Sequence, residues 1–256
     1  MEQGMEQTSV IAGTSGATIE LTSVGAVKYA ADPALWQRLG SQANYMAKHG
    51  APFAAITGVA IGRYWMERLY PLHIKGAAIR SLLLQARTAL LPLWSKLVEP
   101  PAMWKHKHID YVKGLCSLHK LPQLLEMLVY DWNNISELSL TACVTHGDAT
   151  LDNLLIDAHG LHRWVDPLPP SDSIPPLLAV DLGKLLQSAD GYERRKYGAE
   201  WPSAGGHDAV LSGLSKANVL AAKYFRAVSY LRMLRYVQGD NLDYARGELK
   251  CYTCLT

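Results

Sequence analysis

His146, Asp148, Asn153 and Asp166 are the residues of this chain whose types and spacing could do chemistry. They lie in Val144-Thr145-His146-Gly147-Asp148-Ala149-Thr150-Leu151-Asp152-Asn153-Leu154-Leu155-Ile156-Asp157, followed by Ala158-His159-Gly160 and Leu161-His162-Arg163-Trp164-Val165-Asp166-Pro167. The pattern reads as loop, strand, turn, strand, loop. The first loop offers a carboxylate at 148 and an amide at 153, and the second strand delivers a carboxylate at 166. A hairpin ladder would hold positions 153 and 166 near one another. An Asn and an Asp aiming oxygens at one point, with another Asp beside them, make a hard-cation site with a base next to it. Mg²⁺ suits such a site because phosphate oxygens of a substrate complete its octahedron.

His146-Gly147-Asp148, Asn153 at the fifth position after the Asp, a hairpin and Val165-Asp166-Pro167 together resemble the aminoglycoside phosphotransferase and choline kinase group. These are small-molecule kinases with the protein-kinase-like fold. Residue type, spacing and strand context agree over about 22 residues. The resemblance implies that Asp148 orients or accepts the proton of an acceptor hydroxyl, and that Asn153 and Asp166 hold Mg²⁺ on the phosphates of ATP. Downstream, Ala179-Val180-Asp181-Leu182-Gly183-Lys184-Leu185 resembles the family's second acidic position at a helix start. The role implied for Asp181, with His146, is structural: its carboxylate accepts backbone N–H groups of the catalytic loop. The continuation Leu186-Gln187-Ser188-Ala189-Asp190-Gly191-Tyr192-Glu193 resembles phosphotransferases of polysaccharide gene clusters.

A nucleotide half should precede this segment. Gly13-Thr14-Ser15-Gly16 is a turn of small residues whose backbone N–H groups can approach phosphate, with Gly13, Ser15 and Gly16 as its candidate contacts. Twelve residues after Gly16, Lys28 sits in an otherwise apolar strand with Val24, Ala26, Val27 and Tyr29. A lysine there must be paired or solvated at its tip. The family supplies an acidic helix residue to face it. Here the helix after Asp32 has no Glu or Asp before Gly50, and Gln42 is the residue expected opposite Lys28. Tyr64-Trp65-Met66-Glu67-Arg68-Leu69 resembles the hinge, with Glu67 and Leu69 as candidate backbone partners of adenine.

These groups need two kinds of scaffold. Residues 10–31 and 52–69 read as strands, separated by a helix from Asp32-Pro33 to Gly50. After Pro71 the character changes. Residues 76–98 read as an amphipathic helix along Ile79, Leu82, Leu83, Ala86, Leu90, Leu93 and Leu97. Residues 108–130 read as helical with a break near Pro122, 141–168 as period two, and 177–245 as mostly helical. The expected fold is therefore α+β: a bilobal protein-kinase-like fold, with a small β-rich lobe over 1–69 and a larger, mainly helical lobe over 70–256 that embeds the catalytic hairpin. Two further features read as surface: His106-x-His108 with His119, as a solvated basic loop, and Arg194-Arg195-Lys196, as a charged face.

Composition removes other classes. Of 256 residues, 49% are hydrophobic and 19% charged, which excludes a disordered chain. Lys plus Arg number 25 against 23 Asp plus Glu, so nucleic acid and anionic membranes are not expected partners. Met1 to Gln7 lacks the basic start and apolar stretch of a signal peptide, and no apolar run spans a bilayer. Of the four cysteines only Cys251 and Cys254 have a motif spacing, with no second CxxC or HxxxH pair to complete a zinc site, and a cytoplasmic location is expected. From Lys184 to Lys250 there are eleven Lys/Arg and seven Asp/Glu. That excess favours a neutral or anionic small-molecule acceptor: a sugar, nucleoside or natural product, including an antibiotic. A protein kinase is disfavoured, since no Asp-Phe-Gly or Ala-Pro-Glu occurs and only about 15 residues separate Asp166 from Asp181. The alternative is a nucleotide-binding pseudokinase or scaffold without turnover.

Overall fold

Near the N-terminus apolar residues alternate, and there the chain pairs into strands. The computed structural model describes residues 9–12, 16–72, 74, 77–171 and 173–254. β1 (Ser9–Ala12), β2 (Thr18–Leu21) and β3 (Gly25–Tyr29) run antiparallel in succession. β4 (Ile56–Ala60) and β5 (Arg63–Glu67) complete a five-stranded sheet of order β1-β2-β3-β5-β4. Between β3 and β4, Asp32 Oδ1 accepts the Ala34 N–H at 2.9 Å and caps a single 3-10 turn at Pro33–Leu35. α1 (Trp36–His49) follows and buries one face, Leu39, Gln42, Ala43 and Met46. Gly50 ends it at φ 62°, a conformation glycine adopts without cost.

A second, three-stranded sheet contains β6 (Tyr70–Pro71), β7 (Leu154–Ile156) and β8 (His162–Trp164). The β7–β8 turn is organised by Asp157, whose Oδ1 accepts the N–H groups of His159 at 2.8 Å and Leu161 at 2.9 Å. The chain divides into two compact units, residues 1–72 with 153–169 and residues 73–152 with 170–256. The hairpin does not belong with residues 70–256 as the sequence suggests. It groups instead with the N-terminal strands, because Tyr70 pairs with Ile156 and Pro71 with Leu155.

The second unit is helical: α2 (Ile79–Trp94), α3 (Trp104–Leu118), α4 (Pro122–Ile135), α5 (Leu178–Ala189), α6 (Tyr192–Tyr197), α7 (His207–Leu211), α8 (Lys216–Met233) and α9 (Asp240–Cys254). The fold class is α+β. In α2 the stripe Leu82, Leu83, Ala86, Leu90 and Leu93 is buried, each large aliphatic contributing about 1.5–3 kcal/mol. The helix stops at Trp94, so Leu97 lies beyond it and is 75% exposed. Every residue of α5 is buried, and the helix packs on α8 and α2. Gly183 makes the α5–α8 approach possible, because a Cβ there would fall 2.7 Å from the Arg226 nitrogen and the Phe225 carbonyl carbon.

His108 corrects the expected basic loop. It lies in α3, is 1% exposed, and its ring nitrogens meet the Ser173 carbonyl at 2.8 Å and the Tyr224 hydroxyl at 3.1 Å. Burial pushes its imidazole down to about 4. Its spacing to Val112 and Leu115 is that of one helix face, which is the buried one. Among the described residues no helix is long and apolar enough to cross a membrane.

Candidate active site

In the second unit the loop carrying His146 to Asp152 is held from α5. Asp181, fully buried, accepts the His146 N–H at 2.9 Å, the Gly147 N–H at 2.7 Å and the Trp94 indole N–H at 3.0 Å. Burial pushes its carboxyl above the ordinary value, against His146 and these donors. Gly147 turns the chain at φ 77°. The next amide, of Asp148, donates to His146 Nδ1 at 3.2 Å, so the ring of His146 braces the loop from within.

Asp148 itself pairs with Lys184, Oδ1 to Nζ at 2.9 Å. Burial alone would raise the Asp148 carboxyl, but the Lys184 ammonium, the Arg232 guanidinium and His146 outweigh it and hold it at about 2. Asp148 is therefore a carboxylate at neutral pH, with its side chain 35% exposed. Beyond it, the Leu151 N–H donates to Ser188 Oγ at 3.1 Å and to Glu193 Oε1 at 2.9 Å. Asp152 accepts Lys196 Nζ and the Tyr197 hydroxyl, both at 2.8 Å. Lys196 thus departs from the charged face read from Arg194-Arg195-Lys196. The sequence reading gave no site role to Lys184, Ser188, Glu193 or Lys196. Positions 181, 184 and 188 share one helix face, the signal that could have found two of them.

Glu193 has a consequence for stability. It is buried, and its Oε1 accepts the Ser188 hydroxyl at 2.5 Å. Burial first, then the Asp152 charge, push its carboxyl up to about 7 from 4.5. Between those values the folded state binds a proton that the unfolded state has lost. The contribution is fully present below about 4.5 and is lost as pH rises through about 7. Glu193→Gln should flatten the decline in unfolding free energy over that interval, measured by denaturant titration at several pH values. An unchanged slope would place the titration elsewhere.

In the first unit, Lys28 lies in β3, the central strand of the five, opposite Ile19 of β2 and Tyr64 of β5, and is 2% exposed. Its ammonium donates to Asp166 Oδ1. Tyr64 is buried alongside, and burial together with the Asp166 charge pushes its hydroxyl well above the ordinary value. The pairing of Lys28 with Gln42 is corrected: Gln42 Nε2 donates to the Pro167 carbonyl at 3.1 Å. Gln42 braces the chain just after Asp166, and the counter-charge of Lys28 comes from Asp166 itself. Asp166 holds φ 56°, a left-handed conformation that Asp and Asn tolerate best among residues with a side chain.

Asn153 and Asp166 flank the open end of the β7–β8 ladder, where the Val165 N–H donates to the Asn153 carbonyl at 3.0 Å. An amide and a carboxylate offer only oxygen donors suited to a hard cation. Two protein oxygens leave room for phosphate oxygens and water, as Mg²⁺ requires. The residues present fit such an ion. Gly16 stands at φ 82° between β1 and β2 and is exposed, whereas Gly13 and Ser15 lie outside the described residues. Glu67 ends β5, with its carboxylate accepting the Ala55 N–H at 2.8 Å and facing Arg163 Nε at 3.4 Å. Leu69 is buried between β5 and β6.

No family model matches the chain, and no curated protein matches it. Solved structures do. An ADP-bound aminoglycoside phosphotransferase, APH(2'')-Ib, matches with a TM-score of 0.59 at 13% identity, covering 98% of this chain and 93% of that one. The streptomycin–ATP ternary complex of APH(2'')-IIa gives a TM-score of 0.60 at 15% identity, covering 98% and 93%. A choline/ethanolamine kinase family protein from Mesorhizobium loti gives 0.54 at 15% identity, covering 99% and 89%. The chain thus has the fold of the aminoglycoside phosphotransferase and choline kinase group.

Proposed function

We propose that this chain is an ATP-dependent phosphotransferase acting on a hydroxyl of a small molecule. The observation that carries the reading is the ionised Asp148, on a loop whose backbone is tied down by Asp181, in the fold of small-molecule kinases. In this reading Asp148 orients the acceptor hydroxyl and receives its proton late, as a loose phosphoryl-transfer transition state allows. Asn153 and Asp166 hold Mg²⁺, which neutralises phosphate charge when bound. Lys28, paired with Asp166 in the structure, would offer its ammonium to the α- and β-phosphates of ATP. Gly13, Ser15 and Gly16, read from the sequence as a turn, would cover the phosphates, and backbone groups of Glu67 and Leu69 would meet adenine. His146 and Asp181 brace the loop. Residues 1–72 with 153–169 form the nucleotide unit and 73–152 with 170–256 the acceptor unit, the protein acting in the cytoplasm.

The acceptor is neutral or anionic. Lys184 and Arg232 both act on Asp148 electrostatically, a setting that repels a polycation and tolerates an anion. The test is ADP release with Mg·ATP over a panel of sugars, nucleosides, aminoglycosides and amino alcohols. Acceptor-dependent release that stops when EDTA removes Mg²⁺ is expected for a neutral or anionic member. ATP binding without release on any acceptor would favour the scaffold reading, and a preference for the aminoglycosides would reverse the charge argument.

A further inference from the structure

We infer that Lys184 is a positioning residue for Asp148, its ammonium fixing the carboxylate that the acceptor hydroxyl must meet. The inference rests on the role proposed for Asp148. Lys184 sits in a helix with no exposed residue, and is itself 8% exposed. An ammonium in such a helix is costly unless paired. Two acceptors take it: Asp148 Oδ1 at 2.9 Å and Gln187 Oε1 at 3.0 Å. Buried ion pairs seldom stabilise a fold more than apolar residues of the same volume. A purely structural role therefore gives little reason for a lysine at this position.

The neighbours of Lys184 show what the helix face is for. Asp181, one turn earlier, holds the His146 and Gly147 amides, and Ser188, one turn later, holds the Leu151 amide. Those two contacts fix the backbone on either side of Asp148. Lys184 reaches the side chain itself. Arg232 of α8, His146 of the loop and Tyr192 of α6 also act on Asp148. All three remain when Lys184 is changed. Arg232 and His146 offset only part of the loss, because Lys184 is the largest of the influences that keep Asp148 ionised.

The test reads Asp148 directly in the apo protein. Carboxyl carbons of ¹³C-Asp-labelled protein are titrated from neutral pH down to about pH 4, the Asp148 signal being identified by its absence in Asp148→Asn. The wild-type signal should stay flat. In Lys184→Met the midpoint should rise by about two pH units or more and enter the window, and Lys184→Arg should return it. If Lys184→Met lacks a thermal transition, Lys184→Gln carries the same measurement, since it removes the ammonium and keeps a polar, uncharged tip. On any acceptor the wild type phosphorylates, the acid limb of kcat should move to higher pH in step, with Mg·ATP affinity within about twofold. An Asp148 signal that titrates identically with and without Lys184, in an enzyme that turns over its acceptor, overturns this inference alone. A shifted carboxylate in a protein that phosphorylates nothing overturns the kinase reading alone.

Discussion

Asp148→Asn should remove about 10²–10⁴ of kcat, the range a positioned acid–base group supplies, while Mg·ATP still binds. Asn keeps the volume of the side chain and one carbonyl oxygen, so Lys184 Nζ retains an acceptor at 2.9 Å. The backbone is held independently, by Asp181 on the His146 and Gly147 amides. What disappears is the anionic oxygen that orients the acceptor O–H and takes its proton. The loss should therefore fall on kcat and kcat/KM for the acceptor together, because the interaction matures only in the transition state. Calorimetry with Mg·ATP and steady-state kinetics on one acceptor separate the two. Collapse of nucleotide affinity with surviving turnover would remove Asp148 from the acceptor side.

Asp166→Ala should damage both stability and nucleotide binding. Lys28 is 2% exposed in the middle of a sheet, and its ammonium donates to Asp166. Removing the carboxylate leaves a buried cation without counter-charge. Such breaks cost roughly 3–5 kcal/mol, and the low end applies because the Asp166 side chain is 30% exposed. The same change should abolish the enhancement of ATP affinity by Mg²⁺. A double variant distinguishes the effects. Lys28→Met with Asp166→Ala removes the stranded ammonium, so the unfolding free energy should recover in part while the Mg²⁺ response stays lost. Denaturant melts and Mg²⁺ titrations of ATP affinity test this. An Asp166→Ala protein with an unchanged metal response would exclude Asp166 from the metal site.

Local patterns make the candidate catalytic segment legible in the amino-acid sequence. His-Gly-Asp with Asn five residues on and Asp at the end of a hairpin depends on short spacings, which a linear chain displays directly. The ends of α1 and α4 are likewise marked by Gly50 and Pro122. Partners far apart in the chain are not legible in this way. Gln42 lies on the buried face of α1, and its burial follows from helix spacing. Its partner, the Pro167 carbonyl, is 125 residues away, so the sequence pointed to the nearer need of Lys28 instead. The basic residues around His108 suggested solvent, although the spacing to Val112 already favoured the interior. Gly13 and Ser15 remain sequence expectations, lying outside the described residues.

The α5 helix turns three contacts with the catalytic loop into one inherited unit. Asp181, Lys184 and Ser188 share a face, and Gly183 presses the opposite backbone against α8 with no room for even a methyl group. The helix can neither roll nor slide without shifting all three contacts together. Substitutions at these positions should therefore be strongly non-additive, since the first to release the loop leaves less for the next to undo. Adjustment to a different acceptor through this face would be slow, because no single step improves one contact while sparing the others. On the proposed function, the residues free to diversify lie off the face, where acceptor choice could change without disturbing Asp148.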